Sequence, residues 1–343
     1  MWMRKRKTDL TDHSAGRASY LVIVDIVKAV SCIMIFFYHC NTILPGEWKF
    51  LTLFGQDLGN NLFFMVSGFA LAPSIDATPL NRLPAWYLRR LVRIVPITAT
   101  AYLLALLRGY YTLNDPALLF AVFIYPTLYW FITAILIFYI VLFLLAKLTG
   151  KTARLVILLL LAVIFILLYN RQERLYVIGL LAMIAGYMLR ETLINEEPLT
   201  ADTPMLRRLA FSGIIVFFLA FMAGELTDIP YASKGLILIG ATGTGLSALF
   251  LGSCVNDRLS GFFGNKKTLY SFVRYLGGMA LPLYLVQCFC SGYIGYWIGL
   301  HINFPLSFPV NFVVVWIAGT VLYHIEKCVL KWYTVCLEKI TRK

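Results

Sequence analysis

The sequence predicts an all-α integral membrane protein of about ten transmembrane helices, with both termini in the cytoplasm. Three observations carry that prediction. The chain of 343 residues is 60% hydrophobic against 14% charged, with a mean hydropathy of +0.78, whereas soluble domains are about 45–50% apolar. Its apolar residues fall into runs approaching the roughly 20 residues that a helix needs to cross hydrocarbon. Its lysines and arginines collect on alternate connections between those runs, as cytoplasmic loops do.

The runs lie at about Tyr20 to Asn41, Gly59 to Ile75, Ile94 to Leu107, Thr127 to Leu148, Leu155 to Tyr169, Leu175 to Leu189, Leu209 to Leu226, Gly235 to Cys254, Tyr275 to Leu300 and Pro309 to Leu330. Helices are expected for all of them, because lipid offers no partner to open backbone amides. The third, fifth and sixth are short. The first follows a basic stretch, as a signal peptide would, but Asp25 and Lys28 interrupt it and no small-residue cleavage site follows Cys40, so it reads as a retained helix. The segment from Arg190 to Arg208, rich in acidic residues and proline, reads as a solvated connection. With an inside amino terminus, the cytoplasmic side holds Arg4 to Arg17, the Arg82 to Arg93 group, Lys147, Lys151, Arg154, Arg190, Arg207, Arg208, the Arg258 to Arg274 group and the Lys327 to Lys343 group. The opposite side receives only Lys49, Arg108, Arg171, Arg174 and Lys234. The chain thus divides into a basic cytoplasmic tail at 1–19, one transmembrane domain at 20–330 and a second basic tail at 331–343, in a multi-pass protein of the cell membrane.

The net charge of +13 does not make this a nucleic-acid binder, since the basic residues sit between apolar runs and form no continuous face. Seven cysteines, lying mostly in or beside apolar runs without ligand spacing, predict neither a disulfide framework nor a metal site. No internal repeat or soluble appendage is evident, so any chemistry belongs to the membrane body.

Ionisable groups inside a span cost about 2.5–3.5 kcal/mol each on insertion scales and therefore need a reason. The first span carries Asp25, Lys28 and His39. Lys28 and His39 are eleven residues apart, which is three helical turns plus about 20° and a rise of about 16 Å, so they share a face. Asp25 lies one turn from Lys28 and can neutralise it. The alternative is a packing ion pair with an interfacial histidine. The second span opens Gly59-Asn60-Asn61-Leu62-Phe63-Phe64-Met65-Val66-Ser67-Gly68-Phe69, where Asn61 and Ser67 offer hydrogen bonds and Gly68 permits close helix approach. Then come Arg89, Arg90 and Arg93 before Pro96, with the spacing to converge at the inner surface. Guanidinium forks suit phosphate, although the same cluster equally serves the positive-inside rule and anionic headgroups.

Together these segments resemble the acyltransferase-3 family of integral membrane acyltransferases, which O-acylate bacterial surface polysaccharides and other extracytoplasmic acceptors. The family's first span carries a basic residue, ten residues and a histidine, here Lys28 and His39. Gly59 to Phe69 is similar to its G-V-D-L-F-F-V-L-S-G-F, and Arg89 to Pro96 to its R-R-x-x-R-I-x-P. Leu128 to Phe131, Ala280 to Gln287 and Tyr323 to Lys327 resemble its L-W-F-L, S-Y-S-L-Y-L-V-H and Y-x-I-E-K/R stretches. The chain departs from that pattern at Lys28 for arginine, Asn61 for an acidic residue and Gln287 for histidine.

The resemblance implies an acyl-CoA co-substrate, with acetyl-CoA expected, on the cytoplasmic side, and no permanently bound cofactor or metal. Arg89, Arg90 and Arg93 would hold its phosphates, and the pantetheine arm would run along the Lys28 stripe toward His39. Histidine is the side chain best matched to taking a hydroxyl proton near neutral pH, so His39 is the expected general base and Lys28 joins it in the catalytic stripe. Asn61, Ser67, Trp130 and Tyr284 are candidates for the oxyanion or acceptor site. The partners are then acyl-CoA, an extracytoplasmic glycan acceptor and membrane lipids. Whether the chain forms homo-oligomers is left open. The alternative is a transporter or flippase of a lipid-linked sugar, with broken helices at Asn60 and Asn61 and at Gly277, Gly278 and Pro282.

Overall fold

A computed structural model describes residues 21–107, 130–195, 204–256 and 267–341, together with 258, 259 and 262. Among the described residues the chain is helical and has no strand. The helices are α1 (Val22–His39), α2 (Asn60–Asp76), α3 (Leu83–Leu107), α4 (Trp130–Leu148), α5 (Lys151–Leu167), α6 (Arg171–Asn195), α7 (Pro204–Glu225), α8 (Pro230–Cys254), α9 (Lys267–Phe289), α10 (Gly295–His301) and α11 (Ser307–Thr341). Eight segments, drawn from every helix except α3, α5 and α10, are long and apolar enough to span a bilayer. With α3 and the 17-residue α5, nine of the ten apolar runs each fall, within the described residues, on one of these helices, and the run at Tyr275 to Leu300 falls on α9 and α10.

Three boundaries differ from those the apolar runs suggest. The third helix begins at Leu83 and carries the arginine segment on its first turns, because a helix continues through interfacial residues whose side chains reach headgroups. The expected loop before α2 is coiled, a 3-10 stretch at Gly46–Thr52 followed by a π turn at Phe54–Gly59. The ninth run is not one helix: α9 passes through a second π turn at Cys290–Ile294 into the short α10. The Arg190 to Arg208 connection is helical to Asn195, and 196–203 lie outside the described residues.

Small residues set how closely the helices approach. Transmembrane helices gain little from hydrophobic association and depend on backbone-to-backbone packing. Gly68 of α2 lies on the Met183 backbone of α6, and Gly186 of α6 lies on the Met65 carbonyl of α2, so a Cβ at either would overlap main chain. Gly68→Ala is therefore expected to cost about 1–3 kcal/mol or more through overpacking, read as reduced membrane yield and a lower melting temperature in detergent. On α8, Gly240 accepts the Phe221 backbone of α7 in the same way.

The face of α1 that matters is enclosed by α2 and α9. Gly55 and Gly59 lie against Tyr38 and Ile35, while Gly277 of α9 lies against Asp25 and Cys32 Sγ donates to the Ala280 carbonyl at 3.0 Å. By the charge asymmetry of the loops, the Lys28 end of this interior is cytoplasmic. At that end Tyr187 donates to Asp76 (2.7 Å), and buried Arg154 pairs with Glu191 (3.0 Å), tying α2, α5 and α6. At the opposite end buried Lys234 donates to the Ile166 and Leu168 carbonyls, capping α5. The flanks of α5 and α7 expose leucine, isoleucine, valine and phenylalanine, as a lipid-facing surface does.

Candidate active site

A cavity of about 340 Å³ opens beside Lys28. Four helices supply its polar lining: Lys28 from α1, Ser67 from α2, Arg90 and Arg93 from α3, and Glu326 from α11. Tyr139 of α4 joins them, and Phe63, Ile135 and Ala280 contribute apolar wall. Gly277 and Gly278 of α9 line the same space.

Each cation is positioned by its helix. Arg90 and Arg93 are three residues apart and so share a face of α3. The Arg90 guanidinium donates to Ser74 Oγ at 2.8 Å and lies over the Trp86 ring, 5.2 Å from its centroid, while Trp86 Nε1 donates to the same hydroxyl at 3.2 Å. This bracing fixes one edge of Arg90, and its buried Nε has no partner. Arg93 is exposed and lies within electrostatic reach of both Lys28 and Glu326. Lys28 is in turn coupled to Asp25, which also feels Arg274. Arg89 is exposed and does not line the cavity, so the arginine trio resolves into a facing pair and an outer neighbour.

His39 is the last residue of α1, half-buried and edge-on to the Tyr38 ring, with centroids 5.3 Å apart. It lies about 16 Å along the helix from Lys28 and does not line the cavity. An aromatic cluster adjoins the cavity at Phe63. Phe131 packs on Phe63 (5.1 Å), Phe64 (4.6 Å) and Tyr284 (4.5 Å), and Trp130 meets Phe64, Phe131 and Tyr176. Trp130 and Tyr284 thus belong to an aromatic cluster that meets the cavity at Phe63. Ser67 lies at the cavity, with its hydroxyl donating to its own helix at Phe63 O (2.7 Å). Asn61 is fully buried and neither side-chain atom has a partner. Cys40, next to His39, accepts from Asn311 Nδ2 at 3.4 Å.

Glu326 and Tyr139 were not singled out by the sequence reading. The signal for Glu326 was present, a carboxylate inside an apolar run, but its position in the closing motif gave no direction. Tyr139 gave none, since tyrosine is unremarkable in a span. The transporter alternative expects broken helices at two places, and the backbone at the first is irregular, the π turn at Phe54–Gly59 ending where Asn60 begins. Asn60 and Asn61 open a continuous α2, and Gly277, Gly278 and Pro282 lie within a continuous α9.

A bundle of membrane helices whose interior carries a cation-lined cavity at one end and a histidine at the other has the parts that a membrane acyltransferase requires. A family model described as an acyltransferase domain matches residues 21–324. The chain belongs to the acyltransferase-3 family and is an acyltransferase that transfers groups other than aminoacyl groups. Comparison with curated proteins returned no match, nor did comparison with solved structures.

Proposed function

We propose that this protein transfers an acyl group, acetyl in the first instance, from cytoplasmic acyl-CoA to a hydroxyl of an extracytoplasmic glycan or its precursor. The observation that carries the reading is that Lys28, Arg90 and Arg93 line one cavity at the cytoplasmic end of the helix whose other end carries His39. Coenzyme A is polyanionic at its nucleotide end, and a cavity with three cations and one carboxylate suits that end. The pantetheine arm then runs past the aromatic cluster toward His39, a distance of about 16 Å.

At that end the imidazole of His39 takes the proton of the acceptor hydroxyl as its oxygen attacks the thioester carbonyl. The tetrahedral oxyanion collapses with cleavage of the carbon–sulfur bond, and the proton passes from His39 to the departing thiolate, leaving an ester and free CoA. Lys28 is too far from this carbon to stabilise it, so its charge acts on the donor. Ser67 has its proton engaged on Phe63 O, whereas Asn61 keeps an unpartnered amide nitrogen, and we assign oxyanion stabilisation to Asn61. Trp130 and Tyr284 shape the passage.

Surface glycan from strains with and without the gene tests the function. Proton NMR is expected to show saponifiable acyl groups lost and the polymer retained when the gene is deleted. Loss of the whole polymer would favour transport, and unchanged esters would reject the proposal.

A further inference from the structure

A second space lies apart from the cation cavity, an apolar groove of about 500 Å³ between α1, α9 and α11. On α1 it is lined by Ala29, Cys32, Ile33 and Phe36, whose spacing makes one helical stripe. Ile33 and Val313 line it and are exposed, so the groove opens sideways onto the bilayer. Its wall also holds one amide, Gln287, which is 1% exposed and whose Nε2 has no partner. Buried polar atoms nearly always have partners, and the tail of a hydrocarbon offers this N–H nothing. An occupant that satisfies it is a chain with an oxygen at its head.

The shape of the groove selects the chain. On α9 the lining runs from Phe272 to Gln287, fifteen residues or about 22 Å. Divided into the volume, that length leaves a cross-section of about 23 Å², which takes one extended chain but no helix about 10 Å across. A phospholipid tail confined to one leaflet reaches about 15 Å, half the hydrocarbon thickness, and leaves part of the groove unfilled. A longer chain fills it.

The outer end of the groove stands at the level of the candidate base. By the charge asymmetry of the loops, α1 and α9 both run outward, and they touch where Cys32 Sγ donates to the Ala280 carbonyl. Seven residues beyond that contact, about 10 Å, α1 reaches His39 and α9 reaches Gln287. Seven residues also return to within about 20° of the starting direction, so His39 continues the Cys32 edge of the groove stripe.

From this placement we propose that the groove holds the tail of a lipid-linked sugar, a single chain longer than one leaflet, with Gln287 Nε2 donating to the oxygen that joins tail to sugar. The proposal rests on the acyltransferase reading above and gives the form of the acceptor. A chain seated with its head at Gln287 presents its sugar hydroxyls at the His39 level, and it arrives from the side, without crossing the cation cavity of the donor.

The test uses full-length protein in phosphatidylcholine nanodiscs, probed with a polyisoprenyl phosphate that carries a photoreactive diazirine in its tail. Labelling is expected to saturate, to map to Phe36, Leu283 and Phe312, and to be displaced by unlabelled polyisoprenyl phosphate but not by added phospholipid. Ile33→Trp, at an exposed position, should fill the groove and abolish labelling with the melting temperature unchanged. Gln287→Met, which keeps the length of the side chain and loses the N–H, should weaken probe binding about tenfold. In acyl transfer, Ile33→Trp should raise the KM for a polyisoprenyl-linked sugar about tenfold and leave the KM for the same sugar without its tail unchanged. Displacement by phospholipid would make the groove an ordinary lipid contact, and labelling that survives Ile33→Trp would place the probe elsewhere. Either result overturns the proposal, as does absence of saturable labelling in a protein that still adds surface esters, and all three leave the acyltransferase reading intact. Surface esters unchanged on deletion of the gene would instead overturn that reading, and the role of the groove in acceptor binding with it.

Discussion

His39→Ala is expected to lower kcat for acyl transfer by about 10²–10⁴-fold, the usual contribution of a positioned general base, while membrane expression and donor binding stay at native levels. The expectation follows from position. His39 ends α1, so its loss leaves no mid-helix cavity, and it stands about 16 Å from the cation cavity that would hold the donor. Equilibrium binding of CoA beside initial rates separates the two roles. Lost turnover with retained binding supports the assignment, and an active His39→Ala enzyme would reject it. His39→Gln, which keeps a hydrogen bond but cannot take the proton, should be as inactive as the alanine variant.

Removing the cavity arginines is expected to act on the donor instead. Arg90→Ala and Arg93→Ala should each raise the KM for acyl-CoA about 10- to 100-fold, the range for a hydrogen bond to a charged group, with the acceptor KM little changed. Arg89→Ala should have a smaller effect, because Arg89 does not line the cavity. The two large effects differ in origin. Arg90 is braced by Ser74 and Trp86, so its substitution also frees that hydroxyl and ring. Arg93 is exposed and coupled to Lys28 and Glu326, so its loss should also weaken the salt dependence of donor binding. Equal donor KM values in all three variants would place the donor elsewhere.

Much of the site was legible because helical periodicity converts spacing into a face. The Lys28 to His39 spacing and the Arg90 and Arg93 pair are each a property of a single helix; the folded chain keeps α1 continuous over the first and brings the second to one cavity. Which neighbours complete the cavity was not legible. Glu326 stands more than two hundred residues from Arg93 and reaches the same space only because α11 packs against α3 and α9. The sequence groups Arg89 with Arg90 and Arg93 whereas Arg89 does not line the cavity, since i, i+4 spacing gives a shared side of a helix but does not say where the cavity begins and ends.

The sequence by itself determined that this chain is a bundle of membrane helices, which orientation its charges favour and which helix carries the candidate base, because hydrophobicity, the cost of buried charge and the 3.6-residue turn act locally. Only the tertiary structure decided that Lys28 shares its cavity with two arginines and a glutamate, that Ser67 is already engaged and that neither side-chain atom of Asn61 is. Those facts depend on which helices pack side by side, and in a bilayer that choice is made by glycine contacts and the satisfaction of individual polar atoms across the whole chain.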